Sequence, residues 1–169
     1  MLTLTPALCE AIFAEAIAAW PREACGVVLG LPEKPETLRF QRFENLQDRL
    51  HALDPEAYPR DARTAYAMDP LRLDRLVRET EARGERLVAV VHSHPQHPSY
   101  FSRTDQAAAA PFGSPSYPEA LQLVVSVYDQ TVRDLKAFGW DGQGWPERAL
   151  SGLPPLPGPP EGAAPLGEV

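Results

Sequence analysis

Residues 86–95, Arg-Leu-Val-Ala-Val-Val-His-Ser-His-Pro, constrain the chain more than any other stretch. After Arg86 come five consecutive apolar residues, three of them valine, and the run is of strand length. A strand with no polar alternation must be covered on both faces, so it belongs in the middle of a sheet with layers on either side. The chain has 169 residues, of which 44% are hydrophobic and 23% charged. That is enough material for one buried core in a globular domain.

The flanking segments supply such layers. Thr5-Pro6 is a helix start, an N-cap followed by proline at the first helical position. Leu8, Cys9, Ile12, Phe13, Ala16 and Ile17 then recur at helical spacing until Pro21 stops the run. Residues 25–30, CGVVLG, read as a strand, and 37–43, with Leu38 and Phe40 alternating with polar residues, as a half-buried one. Residues 44–63 are charged and irregular, and 64–68 (TAYAM) are expected to rejoin the sheet. Asp69-Pro70 opens a second helix with Leu73, Leu76, Val77 and Thr80 on one face and Gly84 at its end. A third helix begins at 102–110, and 121–129 with 132–140 form a hairpin turning at 129–131. Strands and helices interleave, which predicts an α/β (α+β) fold: a single domain with a central mixed β-sheet flanked by helices. That domain spans residues 1–150. Beyond Gly152 proline, glycine and alanine dominate, so 151–169 are expected to be a disordered tail.

Composition excludes several functions. The net charge of −7 opposes nucleic-acid binding, which needs clustered Lys and Arg. No stretch approaches 18 uncharged apolar residues, so no membrane span is expected. The N-terminal segment carries Glu10 and Glu15 and lacks a basic lead, unlike a signal peptide. Cys9 and Cys25 are too few for a disulfide framework, and a reducing cytoplasmic setting is expected.

The chemistry concentrates at the end of the apolar strand. His92 and His94 are two residues apart, and period-two alternation turns both imidazoles to one face, where they can share an ion. Imidazole suits zinc, and catalytic zinc sites commonly take three protein ligands and leave a fourth position open. Asp105 is the best third ligand, because in Ser102-Arg103-Thr104-Asp105 a loop turns into a helix with its start exposed. Taken alone that tetrad is an ordinary capping box, and two histidines at i, i+2 are often no more than a polar strand edge. The whole string, HSHP, six residues, then S-x-x-D, has a chance frequency on the order of one in 10⁴ to 10⁵.

HSHP-x6-SRTD resembles the zinc signature of the JAMM-type (MPN domain) metalloproteases. PREACGVVLG, 21–30, is similar to the glutamate-containing segment of their small bacterial members, and FENLQD, 43–48, to the asparagine-centred segment between the motifs. The resemblance covers roughly residues 5–140. It implies an MPN/cytidine-deaminase-like layered fold and one zinc ion per chain on His92, His94 and Asp105. Glu23 would be the general base, activating the water bound to zinc and later protonating the leaving amine. Ser102 would stabilise the oxyanion. The implied substrate is a ubiquitin-like or sulfur carrier protein, cut after its C-terminal Gly-Gly; a homodimer is allowed for.

Several residues read as structural. Ser93 should point to the opposite strand face from the ligands, His97 is an exposed loop histidine, Cys25 a small buried hydrophobe, and Trp140 and Trp145 cover an edge of the core. A non-catalytic interaction scaffold is the competing reading, but it has no need of all five site residues. A zinc deaminase would require H-x-E with P-C-x-x-C, and neither is present.

Overall fold

A computed structural model describes residues 1–165. Helix α1 (Pro6–Ala19) follows the two-residue strand β1 (Leu2–Thr3), and Thr5 caps it by accepting a hydrogen bond from Leu8 N. Strands β2 (Cys25–Leu31) and β3 (Lys34–Phe43) form a hairpin, then come the short helix α2 (Gln47–Leu53) and helix α3 (Pro70–Ala82). Strand β4 (Arg86–Pro95) is the apolar run, buried from Leu87 onward. Helix α4 (Arg103–Ala109) precedes β5 (Leu121–Tyr128), β6 (Thr131–Phe138), β7 (Glu147–Arg148) and β8 (Leu150–Ser151).

Six strands make one sheet in the order β3-β2-β4-β5-β6-β7. Every neighbouring pair is antiparallel except β4 and β5, which are parallel and joined through α4. A parallel connection needs such a crossover, whereas β5 and β6 need only the two residues Asp129 and Gln130. Both take left-handed backbone angles, φ 49° and 62°, as a tight two-residue turn demands. That turn is one residue shorter than predicted.

The two faces carry separate cores. Leu8, Cys9, Ile12 and Ala16 of α1 pack with Val28, Ala89, Val91, Leu123 and Val125 on one side. Leu73 and Val77 of α3 pack with Cys25, Val27, Leu29 and Val90 on the other. Ile17, counted with the apolar face of α1, is exposed. No helix among the described residues is long and apolar enough to cross a membrane.

Two expectations from sequence are corrected in the middle of the chain. Residues 47–53 are helical rather than irregular, and 64–68 form no strand. Asn45 accounts for both. Its Oδ1 accepts from Gln47 N and Ala67 N, and its Nδ2 donates to the carbonyls of Glu23 and Ala65, so one side chain starts α2 and supplies 64–68 with the partners a sheet would otherwise give.

The predicted disordered tail is corrected over its first part. Leu150–Ser151 pairs in parallel with Leu2–Thr3, and Leu4 N donates to Ser151 O at 2.8 Å. Gly152 takes φ +80° where a Cβ would meet the Leu4 carbonyl, so the residue that reads as the start of disorder is the turn that lays the chain down. Leu153 and Leu156 then pack on the α1 core, and Gly158 exchanges hydrogen bonds with Arg133. A few well-spaced leucines suffice where a preformed groove receives them. Residues 166–169 of that predicted tail lie outside the described residues. Deleting 152–169 should therefore lower stability by about 1–3 kcal/mol, the burial of two partly covered leucines; thermal denaturation of the truncated chain checks this.

Candidate metal centre

Three elements meet at the C-terminal end of β4. His92 and His94 share a face of the strand, as the period of two requires, and their Nε2 atoms lie 3.2 Å apart. Strand β2 runs antiparallel beside them with Cys25 opposite His92. Counting that register two residues outward sets Glu23 across from His94, on the same face. Between the pairs, Ala24 N donates to Ser93 Oγ and Ser93 N to Ala24 O, so Ser93 ties the strand ends together in the structural role expected of it.

Asp105 comes back to the same point from the crossover. At the start of α4, Ser102 Oγ accepts from Asp105 N at 3.0 Å and Asp105 Oδ2 accepts from Ser102 N at 3.1 Å. The capping box is thus real, and the same Oδ2 stands 3.2 Å from both His92 Nε2 and His94 Nε2. Glu23, His92, His94 and Asp105 each offer an atom within 4.8 Å of the others, and all four are buried.

The donor atoms fit one cation. Three atoms at 3.2 Å from one another are close to the roughly 3.3 Å separation that a tetrahedral ion with 2.0 Å bonds imposes on its ligands. His94 Nδ1 lies 2.8 Å from the Pro98 carbonyl, which can only accept, so that nitrogen carries the proton. With the proton on Nδ1, Nε2 is the nitrogen available to share a cation with Asp105.

Electrostatics agree. Burial lowers the His92 pKa against the pull of Asp105, keeping the ring neutral. Burial alone would raise Asp105, but the pull of the two imidazoles when they carry a proton toward it outweighs burial and holds its carboxyl well below the usual range. Glu23 goes the other way: burial first, then the Asp105 charge, push its pKa well above normal, with Arg60 opposing. Its Oε1 is buried and has no hydrogen-bond partner among the described residues.

Glu23 is held through its backbone. Its N donates to Ala62 O at 2.7 Å and its carbonyl accepts from Asn45 Nδ2 at 3.0 Å. Asp48 fixes the same loop, accepting from Ala62 N at 2.8 Å and from Arg22 Nε at 2.9 Å. Its side-chain Oε1 has no such tether among the described residues.

Other sequence expectations divide. Cys25 is buried, and burial followed by Glu23 and Glu15 pushes its thiol up to about 12, which makes it inert. His97 is half-buried rather than exposed, its carbonyl accepting from Ser126 Oγ. Trp140 and Trp145 pack on each other, and Trp145 meets Phe101 edge-on at 5.2 Å, so they belong to an aromatic wall beside the centre. Sequence reasoning missed Tyr66, whose ring stacks on His92 with centroids 4.6 Å apart. No periodicity marks it, because its segment is ordered by Asn45 and not by a sheet.

A family model of prokaryotic homologues of the JAB domain matches residues 5–137. The chain belongs to that family. No curated protein matches the chain. Among solved structures, the JAB-family chain is similar to a Desulfitobacterium hafniense protein at 26% identity and a TM-score of 0.65, over 89% of this chain and 91% of the other. A Salinibacter ruber protein matches at 22% identity and a TM-score of 0.58, over 97% and 95%. A JAB1/MPN domain protein from Archaeoglobus fulgidus matches at 18% identity and a TM-score of 0.44, over 89% and 97%. The resemblance in the motifs and the predicted layered fold are both borne out.

Two outcomes follow from this geometry. Added divalent zinc or cobalt should raise the melting temperature of the wild type and not of His94→Ala, with affinity falling as acid protonates the ligands, read by calorimetric titration across pH. Asn45→Ala strands two backbone N–H groups and two carbonyls, and should cost about 2–4 kcal/mol in thermal or urea unfolding.

Proposed function

We propose that this JAB-family chain is a zinc-dependent hydrolase of an amide bond, a metallopeptidase or isopeptidase acting after the C-terminal Gly-Gly of a ubiquitin-like or sulfur carrier protein. The observation that carries the reading is Glu23: a buried carboxylate with an unpartnered oxygen, beside two imidazoles and an aspartate whose donor atoms converge. Leaving a buried carboxylate oxygen unpaired is costly, and proton transfer gives that oxygen a use.

A zinc ion on His92, His94 and Asp105 would supply a Lewis acid for the scissile carbonyl and make water acidic enough to deprotonate near neutrality. Glu23 takes the proton of the attacking water and delivers it to the leaving nitrogen. Its environment raises its basicity toward the working range, the property such a shuttle needs. The Ser102 hydroxyl uses its oxygen to cap α4 and keeps its proton to donate to the developing oxyanion.

Shape supports the substrate class. Glu23, His94 and Asp105 are each no more than 5% exposed, so only backbone without bulky side chains can bring a carbonyl to them. A Gly-Gly terminus meets that requirement, and the aromatic wall of Tyr100, Phe101 and Trp145 lies beside the approach.

The test is cleavage of ubiquitin-like sulfur carriers that bear a C-terminal extension beyond Gly-Gly. Glu23→Gln should lower kcat by about 10²–10⁴ while retaining one zinc per chain. Equal turnover by wild type and variant would refute the assignment of the base.

A further inference from the structure

A cavity of about 350 Å³ lies on the same face of the sheet as the histidines. Gln122 pairs with Val90 across β4 and β5, and the next same-face pair along is Val124 with His92. Val90 and Gln122, both lining the cavity, therefore adjoin His92 on the sheet. Tyr66, whose ring stacks on His92, forms part of the wall. Ala108 and Ala109, three and four residues past Asp105, bring the same side of α4 to it. The cavity is thus built from the elements that carry the ligands.

Its chemistry is selective. Met68, Leu73 and Val90 make it largely apolar, and no charged side chain among the described residues lines it. Tyr66, Ser116 and Tyr117 also bring hydroxyls to the lining, but Gln122 differs from them: it is 4% exposed, with its Oε1 buried and without a hydrogen-bond partner among the described residues. An unpaired buried amide oxygen lowers stability, and leucine would fill a similar volume without that penalty, so packing does not explain it. Outside, Leu71 (77% exposed) and Phe112 (95% exposed) follow directly on the lining residues Pro70 and Pro111. Large apolar side chains so fully exposed on both flanks of one cavity mark a surface that receives another chain.

We propose that this cavity is a specificity pocket for an uncharged aromatic side chain bearing one hydrogen-bond donor, tyrosine or tryptophan, on the polypeptide whose amide bond is cleaved. The polypeptide rests on the hydrolase reading; the pocket does not. A charged side chain would find no counter-charge, and an aliphatic one would leave Gln122 unpaired. The terminal torsion of glutamine is soft, so its oxygen can turn to a phenolic O–H or indole N–H entering the cavity.

The test uses p-cresol and indole as probes, with toluene and 4-hydroxybenzoate as controls, titrated into the full zinc-supplemented chain and followed by amide NMR. Saturable shifts at Val90, Ala109 and Gln122 are expected with p-cresol and indole, binding about tenfold weaker with toluene, and none with 4-hydroxybenzoate. Gln122→Leu should melt no lower than wild type and bind p-cresol no better than toluene. Ala109→Trp should fill the cavity and abolish the shifts, with Ala109→Leu as the milder version. Equal binding of p-cresol and toluene to the wild type, or no saturable shifts at these residues, overturns the proposal. In extended carrier substrates, tyrosine in place of glutamate next to the scissile bond should raise kcat/KM about tenfold. Probe binding without any turnover would uphold the pocket and sink the hydrolase reading; turnover without probe binding would do the reverse.

Discussion

The antiparallel register of β2 against β4 sets Cys25 opposite His92, and the groups at the centre depend on it. It places Glu23 across from His94 and, because both strands alternate with the same period, turns Glu23, His92 and His94 to one side. A slip of one residue would send Glu23 into the α1 core. The register is secured by side chains that do no chemistry: Val27 and Val28 buried on opposite faces, and Ser93 joined twice to Ala24. Hydrophobic packing on two faces thereby fixes the position of a polar cluster at the end of the sheet.

How much of this was readable in the chain follows from where the information sits. His92 and His94 share one strand, so periodicity alone aligns them. Asp105 is eleven residues beyond His94 but its capping box is local, and the histidine string supplied the rest. Glu23 is different: nothing near Pro21 marks it, and only a pairing between segments almost seventy residues apart gives it a role, which the family resemblance carried in advance. The layered sheet was legible because its strands and helices declare themselves by period. The 44–68 region was not, since it is ordered by the four hydrogen bonds of Asn45, and a side-chain hub leaves no repeating pattern. The tail misled for a related reason: its composition has little to bury, but Gly152 and two leucines meet a groove that exists only after the rest has folded.

The face that holds the histidines and the face covered by α1 also differ in how they use polarity. On the α1 side buried polar groups such as Ser93 are paired. On the α3 and α4 side Glu23 and Gln122 each keep an oxygen without a partner among the described residues. Unpaired buried acceptors are expected where a protein meets something outside itself, and both lie on the face that holds the histidines.

One atom, Asp105 Oδ2, closes the first turn of α4 and also completes the triangle with the histidines. A seven-residue helix has little intrinsic tendency to form, so its persistence leans on that carboxylate. Retention of any ion held there and the winding of this crossover would then form a single equilibrium: stripping the centre would also loosen the segment that threads β4 to β5, and the helix itself would become the gauge of whether the site is loaded.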